Sequence, residues 1–280
     1  MDFEFFVENS YTVSKLITQK YSTSFSLATS LLEKEKRKAI YAIYGFVRLA
    51  DEIVDSFHGY DKDYLLEKLN KDLEYALENN ISTNTVLVAF ADTVKRYSIN
   101  KEHIDAFMKS MKYDLIKTDY NNSKELENYI YGSAAVVGLM CLKVFCNGEQ
   151  THYENLELPA RNLGSAFQKV NFLRDLNTDI NELGRTYFPE LTYHQFDKDS
   201  KTLIEESIEK EFNEAWTGIK QLPGRSKLAV ALAYFYYKSL LNKIKRTPPD
   251  KVITERIRIS NVNKYFIFLR VFAMYKLKLI

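Results

Sequence analysis

Residues 39–55 read Ala-Ile-Tyr-Ala-Ile-Tyr-Gly-Phe-Val-Arg-Leu-Ala-Asp-Glu-Ile-Val-Asp, and the spacing of polar residues in this run decides the fold class. Tyr44, Arg48, Asp51 and Asp55 follow at steps of four, three and four, tracing one stripe down a helix whose other faces are apolar. Such a helix belongs inside a protein. Its charged stripe must then line a cavity or meet a partner, because an unpaired buried carboxylate is costly. Helical geometry places i and i+4 on one face with Cβ atoms about 6 Å apart. At an effective dielectric near 20, two carboxylates at that separation repel by roughly 3 kcal/mol. A divalent cation would offset the repulsion. Mg²⁺ suits the site because it takes one or two protein carboxylates, keeps waters, and completes its shell with phosphate oxygens of a substrate.

The arrangement recurs far along the chain. Residues 171–179 read Asn-Phe-Leu-Arg-Asp-Leu-Asn-Thr-Asp, with Asn171, Asp175 and Asp179 at steps of four and Arg174 beside them. The lead-in is again apolar: Leu163, Ala166, Phe167, Val170, Phe172 and Leu173. One Asp-x-x-x-Asp alone fits a solvated face on which Arg48 pairs with Asp51 or Glu52. Two matching stripes point instead to a helical bundle in which they face each other across a cleft with acidic rims and an apolar floor.

Composition narrows the class. Gly and Pro number 9 and 5 in 280 residues, no linker-like run breaks the chain, and apolar periodicity near 3.6 dominates. This predicts an all-α, single-domain helical bundle over 1–280. The net charge of +2 is spread along the chain, which gives no support to nucleic-acid binding. Cys141 and Cys146 are the only cysteines and lack a zinc-type spacing, so a reducing, cytoplasmic location is expected. The acidic start is unlike a secretory signal. The apolar runs 133–145 and 228–237 read as too short to span a bilayer, leaving a soluble protein or one peripheral to the inner face of the membrane. In 260–280, Phe, Leu, Val and Tyr mix with Lys264, Arg270, Lys276 and Lys278, which suits either a packed last helix or contact with anionic lipid.

Helices are expected over 12–19, 23–32, 34–56, 62–79, 82–97, 101–117, 123–146, 153–181, 201–220, 225–246 and 260–277. Glu149-x-x-His152 reads as loop. Residues 181–191, with Gly184, Arg185 and Pro189, break the helix after the second acidic pair and could close over a ligand.

Several segments together resemble the squalene and phytoene synthase family of head-to-head isoprenoid synthases, most of all its bacterial phytoene synthases. They are Tyr21-Ser-Thr-Ser-Phe25, the run from Tyr44 to Asp55, Tyr129-Ile-Tyr-Gly-Ser-Ala-Ala-Val-Val-Gly138, the run from Gln168 to Asp179, and Gly184-Arg-Thr-Tyr-Phe-Pro189. Tyr237 and Arg256 also fit the family pattern. Each segment is weakly diagnostic, whereas their order and spacing are specific. Glu52 stands where many members have Asp, and Ala135 where a glycine is common.

The resemblance implies an isoprenoid synthase fold with a central cleft and Mg²⁺-dependent prenyltransferase activity. Two or three Mg²⁺ ions would be held with substrate diphosphate by Asp51, Asp55, Asn171, Asp175 and Asp179. Arg48, Arg174 and Arg185 would neutralise diphosphate oxygens. Asp51, Asp175, Arg48, Arg174 and Tyr129 are the implied catalytic group. Ser22, Ser24, Phe25, Tyr44, Gln168, Asn171, Tyr187, Tyr237 and Arg256 are implied at the substrate, although Ser22 and Ser24 fit helix N-caps equally well.

The implied reaction joins two geranylgeranyl diphosphates. The alternative is a squalene or dehydrosqualene synthase using two farnesyl diphosphates, with NADPH needed only for squalene. A non-catalytic helical assembly or lipid-binding relative would be expected to lose the aspartates. Head-to-tail prenyltransferases and terpene cyclases usually carry adjacent aspartates in the first motif. Substrate chain length and oligomeric state are not set by the sequence.

Overall fold

Serine and threonine, rather than aliphatic residues, form the buried face of the first helix. In the computed structural model, which describes residues 2–120, 122–181, 184–189 and 196–280, helix α1 runs Phe3–Tyr21 from an Asp2 cap that accepts a hydrogen bond from the Phe5 backbone N–H. Ser10, Ser14 and Thr18, at steps of four, are fully buried. Each hydroxyl donates to the carbonyl one turn back, so no polar group is orphaned. Their small size lets α1 lie close to helix α3 (Lys34–Asp55): a Cβ on Gly45 would come within 3.1 Å of Ser14 Cβ. Hydrophobic periodicity cannot report such a face, which is why the sequence placed this helix over 12–19 only.

The remaining helices are α2 (Thr23–Ser30), α4 (Lys62–Asn79), α5 (Thr85–Tyr97), α6 (Lys101–Asp114), α7 (Ser123–Ile130), α8 (Val136–Phe145), α9 (Gln150–Asn181), α10 (Lys198–Ile219), α11 (Gly224–Arg246), α12 (Pro249–Thr254) and α13 (Asn261–Lys276). Among the described residues there is no strand, and the one extended pairing is an isolated bridge between Asp119 and Thr186. The all-α class is as expected.

Three local readings need correction. The helix expected over 123–146 is interrupted by a π-helical turn, Tyr131–Ala135. With that turn included, Ser123–Phe145 is one helix of 23 residues, long and apolar enough to cross a membrane by length and composition, so the expectation that the run 133–145 is too short fails; the run 228–237 belongs to no such helix among the described residues. Ser123–Phe145 packs inside the bundle, with Val136, Leu139, Met140 and Val144 fully buried. His152, expected in a loop, lies in the first turn of α9. Of the segment expected to close over a ligand, 182–183 and 190–191 lie outside the described residues.

Two apolar cores hold the bundle together. The first joins α3, α4, α5, α6 and α8, centred on Phe46, whose ring stacks on Phe90 at 4.2 Å and meets Phe107 edge-on. The second joins α9, α10 and α11 through Val170, Leu173, Ile208, Phe212, Leu232 and Leu241. Helix α9 also crosses the π turn closely. A Cβ on Gly164 would sit 2.8 Å from the Ala134 carbonyl oxygen and 3.0 Å from Ala135 Cα, so Gly164 makes room where Ala135 replaces a glycine common in the resembling family.

Candidate active site

Between the two cores lies a cavity of about 930 Å³, at the upper end of the range for small-molecule sites. Its walls come from α2, α3, the π turn, α8, α9, α10, α11 and residues 256–264. Val137, Leu163, Phe167, Ile219, Leu222 and Val230 are among its apolar lining. Ser22, Ser24, Phe25, Tyr44, Arg48, Asp51, Gln168, Asn171, Arg174, Tyr237 and Arg256, all singled out from the sequence, also lie on this wall. The apolar faces of α3 and α9 are consumed by the cores, which turns the polar stripe of each helix toward the remaining space.

The arginines are already partnered. Arg48 pairs with Glu52 on its own helix and lies over the Tyr21 ring at 4.4 Å. Arg174 pairs with Asp175, whose Oδ1 also forms an ion pair with Arg256 Nε at 2.7 Å. Arg185 clasps three elements. Its Nη1 donates to Asp55 Oδ1 at 2.8 Å, its Nη2 to the Asp114 carbonyl at 3.0 Å, and its backbone N–H to the Asp179 carbonyl at 2.7 Å. The two aspartate pairs, 120 or more residues apart in sequence, are therefore bridged by one residue, whose guanidinium holds Asp55 and whose backbone N–H holds the Asp179 carbonyl, and Asp55 and Asp179 are near enough for each charge to act on the other.

Smaller contacts order the wall. The Tyr237 hydroxyl donates to Asn171 Oδ1 at 3.2 Å, and its ring stacks on Phe167 at 4.0 Å. Phe25 stacks on Tyr44 at 4.9 Å. Ser22 caps α2, its Oγ accepting from the Phe25 backbone N–H at 3.3 Å. Burial pushes the Tyr44 phenol up to about 12.

Asp55, Asp175, Asp179, Arg185, Tyr129 and Tyr187 are not on the cavity wall itself. Asp175 joins it through Arg174 and Arg256, whereas Asp55, Asp179 and Arg185 hold one another behind the wall, close enough for Asp55 to act on Asp51 and Arg174 on Asp179. Tyr129 and Tyr187 are buried in an aromatic stack with Tyr120 and Phe172, the Phe172 and Tyr187 rings 3.9 Å apart. Tyr129 reaches the charged cluster by one contact, its hydroxyl donating to Asp114 Oδ2 at 3.0 Å.

Asp114 is the residue that sequence reasoning missed. It ends α6, carries no acidic neighbour at helical spacing, and comes to the site only through packing. Its Oδ1 is buried without a hydrogen-bond partner, as are Arg48 Nε and the Ser133 hydroxyl of the cavity wall. Unpaired buried polar atoms carry a desolvation penalty that a ligand or ion can relieve.

Electrostatics concentrate at the same place. Burial, followed by the charge of Asp55 and more weakly that of Asp114, pushes Asp51 up to about 7 against the pull of Arg48. Burial likewise holds Asp114 at about 7, opposed by Arg185 and the Tyr129 hydrogen bond and reinforced by Asp55. Asp179 is raised to about 7 by burial, then by Asp175 and, across the helices, by Asp55, with Arg185 and Arg174 opposing. Three desolvated carboxylates are thus short of positive charge. Oxygen donors of this kind suit a hard divalent cation. Among the described residues no group of three or more His, Cys, Asp or Glu is placed to hold a metal by itself.

Comparison with known proteins gives a consistent picture. The family model described as squalene/phytoene synthase matches residues 18–263. Phytoene synthase 1 of Zea mays is 31% identical over 249 residues, covering 81% of this chain and 60% of that protein; the chain thus spans three fifths of that plant relative's length. The 4,4'-diapophytoene synthase of Staphylococcus haemolyticus is 25% identical over 292 residues, covering 96% of this chain and 99% of that one. A crystal structure of a dehydrosqualene synthase in complex with ligand has the same fold, with a TM-score of 0.82 at 23% identity over 96% of this chain and 98% of that chain.

Proposed function

This chain belongs to the squalene/phytoene synthase family, and from that premise we propose that it condenses two geranylgeranyl diphosphates head to head into phytoene. The intermediate is a cyclopropylcarbinyl (prephytoene) diphosphate, and each of two ionisations releases diphosphate. One observation carries the reading: Arg185 ties Asp55 of α3 to the backbone at Asp179 of α9, with the two carboxylates near enough to repel each other, beside the polar wall of a large apolar cavity.

Asp51, Asp55, Asn171, Asp175 and Asp179 would hold Mg²⁺, which when bound supplies positive charge to the departing diphosphate. Arg48, Arg174 and Arg256 contribute guanidinium forks matched to phosphate oxygens. They are held ready by carboxylates, Glu52 for Arg48 and Asp175 for the other two. An arriving diphosphate takes over those partners, so binding exchanges one anion for another without stranding a cation. The hydroxyls of Ser22 and Ser24 lie on the same wall and can donate to the diphosphate.

Ionisation leaves an allylic cation that water would quench. The apolar lining keeps it dry, and the ring faces of Phe25, Tyr44, Phe167 and Tyr237 stabilise passing positive charge. The second substrate's double bond then attacks, a proton is lost as the cyclopropane closes, and a second ionisation with rearrangement and proton loss gives the hydrocarbon. Tyr129, buried on Asp114, acts by positioning that carboxylate beside the acidic cluster.

A second reading, condensation of two farnesyl diphosphates, is favoured by the full-length match to the staphylococcal relative. The two separate in one assay: purified protein with Mg²⁺ and either diphosphate, with and without NADPH, products identified by mass. C40 hydrocarbon without reductant is the expected result; C30 product alone replaces it with the second reading.

A further inference from the structure

The last helix is apolar on both sides. Inward, Ile267, Phe268 and Val271 pack into the second core, mainly against α11. Outward, Val262, Tyr265, Phe266, Leu269 and Phe272 are 64%, 60%, 62%, 42% and 39% exposed, and their spacing of three and four puts them on one continuous face. Helices apolar all round normally lie in a core or in lipid, and an apolar patch of this kind marks an interaction surface.

Charge identifies the partner. No Asp or Glu follows Glu255, whereas Arg258, Lys264, Arg270, Lys276 and Lys278 are all cationic, and among the described residues none of the five forms an ion pair. Arg270 holds its guanidinium over the Phe235 ring at 5.5 Å and Lys276 its ammonium over the Phe272 ring at 5.6 Å, so cationic heads sit against aromatic rings of this helix and its neighbour. This is the chemistry of a helix lying in a bilayer interface, with rings among the acyl chains and cations at the phosphates. A second copy of the chain would bring like charges together around the shared seam; anionic lipid neutralises them.

The face also adjoins the cavity, because residues 256–259, Asn261 and Lys264 belong to the cavity wall and lead directly into α13. We infer that α13 docks the protein on an anionic bilayer through this outward face. Resting on the proposed reaction, the docking sets the cavity rim where prenyl tails enter and an insoluble hydrocarbon leaves.

Flotation of the full chain with phosphatidylcholine vesicles containing or lacking about a third phosphatidylserine tests this. Binding to the anionic vesicles only, weakened at least tenfold by high salt, by Phe266→Ser with Leu269→Ser, and separately by Lys276→Glu with Lys278→Glu, is expected. Turnover of substrate in detergent micelles stays at the wild-type level in both double variants, which shows that they fold. No flotation, equal flotation with neutral vesicles, or a dimer dissolved by the Phe266 and Leu269 changes without vesicle binding each overturns the inference. Flotation of a protein inactive in micelles would overturn the proposed reaction and leave the docking standing.

Discussion

The two acidic stripes look alike in sequence and differ in their neutralisation. On α9, Asp175 is gripped by Arg174 and Arg256, both from the cavity wall. On α3, Arg48 is engaged by Glu52, leaving Asp51 without an ion pair among the described residues, and Asp55 depends on Arg185 from a distant segment. The α9 side therefore holds arginines that an incoming diphosphate can claim, while the α3 side holds uncompensated negative charge that a cation can claim. Matching motifs do unequal work because their neighbours differ.

Substitution of the aspartates should have the largest consequence. Asp51→Asn and Asp175→Asn each lower kcat by at least about a hundredfold, the scale of losing one charge contact made in the transition state, measured by product formation at saturating Mg²⁺. Full activity in either would separate that stripe from the chemistry. Next, Arg185→Gln cuts the clasp between the stripes and costs on the order of ten- to a hundredfold in kcat/KM. Arg185→Lys recovers little, because an ammonium cannot span Asp55 and the Asp114 carbonyl together.

The comparison sharpens in the metal-free protein, where the same change has opposite signs. Asp51→Asn removes repulsion and raises Tm at pH 8. Asp175→Asn strands two arginines and lowers it. Shifts of a few degrees correspond to about 1 kcal/mol in a chain of this size; equal shifts of one sign would abolish the distinction.

The same carboxylates also set a pH dependence. Burial and mutual repulsion raise Asp51, Asp114 and Asp179 to about 7 in the folded chain, against about 4 when unfolded. Between these values the folded form binds more protons, so stability falls as pH rises from about 4 to 7, and the loss is complete above that. Thermal scans of the chelated protein should show Tm declining across this window, less so in Asp51→Asn.

The stripes were legible because charge at steps of four stands out against an apolar helix. The residues around them were not. Asp114 is an ordinary acidic residue in a mixed helix until packing sets it beside Tyr129 and Arg185. The partnership of Arg256 with Asp175 crosses from a short segment to the middle of α9, and no local period encodes it. Tyr129, nominated by resemblance, proved to lie behind the cavity wall, since its hydroxyl is spent on Asp114. At the start of the chain, hydroxyls satisfied by their own helix hid a buried face that hydrophobicity cannot flag.

The π turn at Tyr131–Ala135 explains how one rod serves two interiors. In an unbroken α-helix, positions 129, 136 and 140 share a stripe. One extra residue rotates everything after it by about 100°. Accordingly Leu126, Tyr129 and Ile130 enter the second core, whereas Val136, Met140 and Val144 enter the first. Deleting a single residue there would return both sets to the same azimuth, so one interior would gain side chains it has no room for while the other lost its filling.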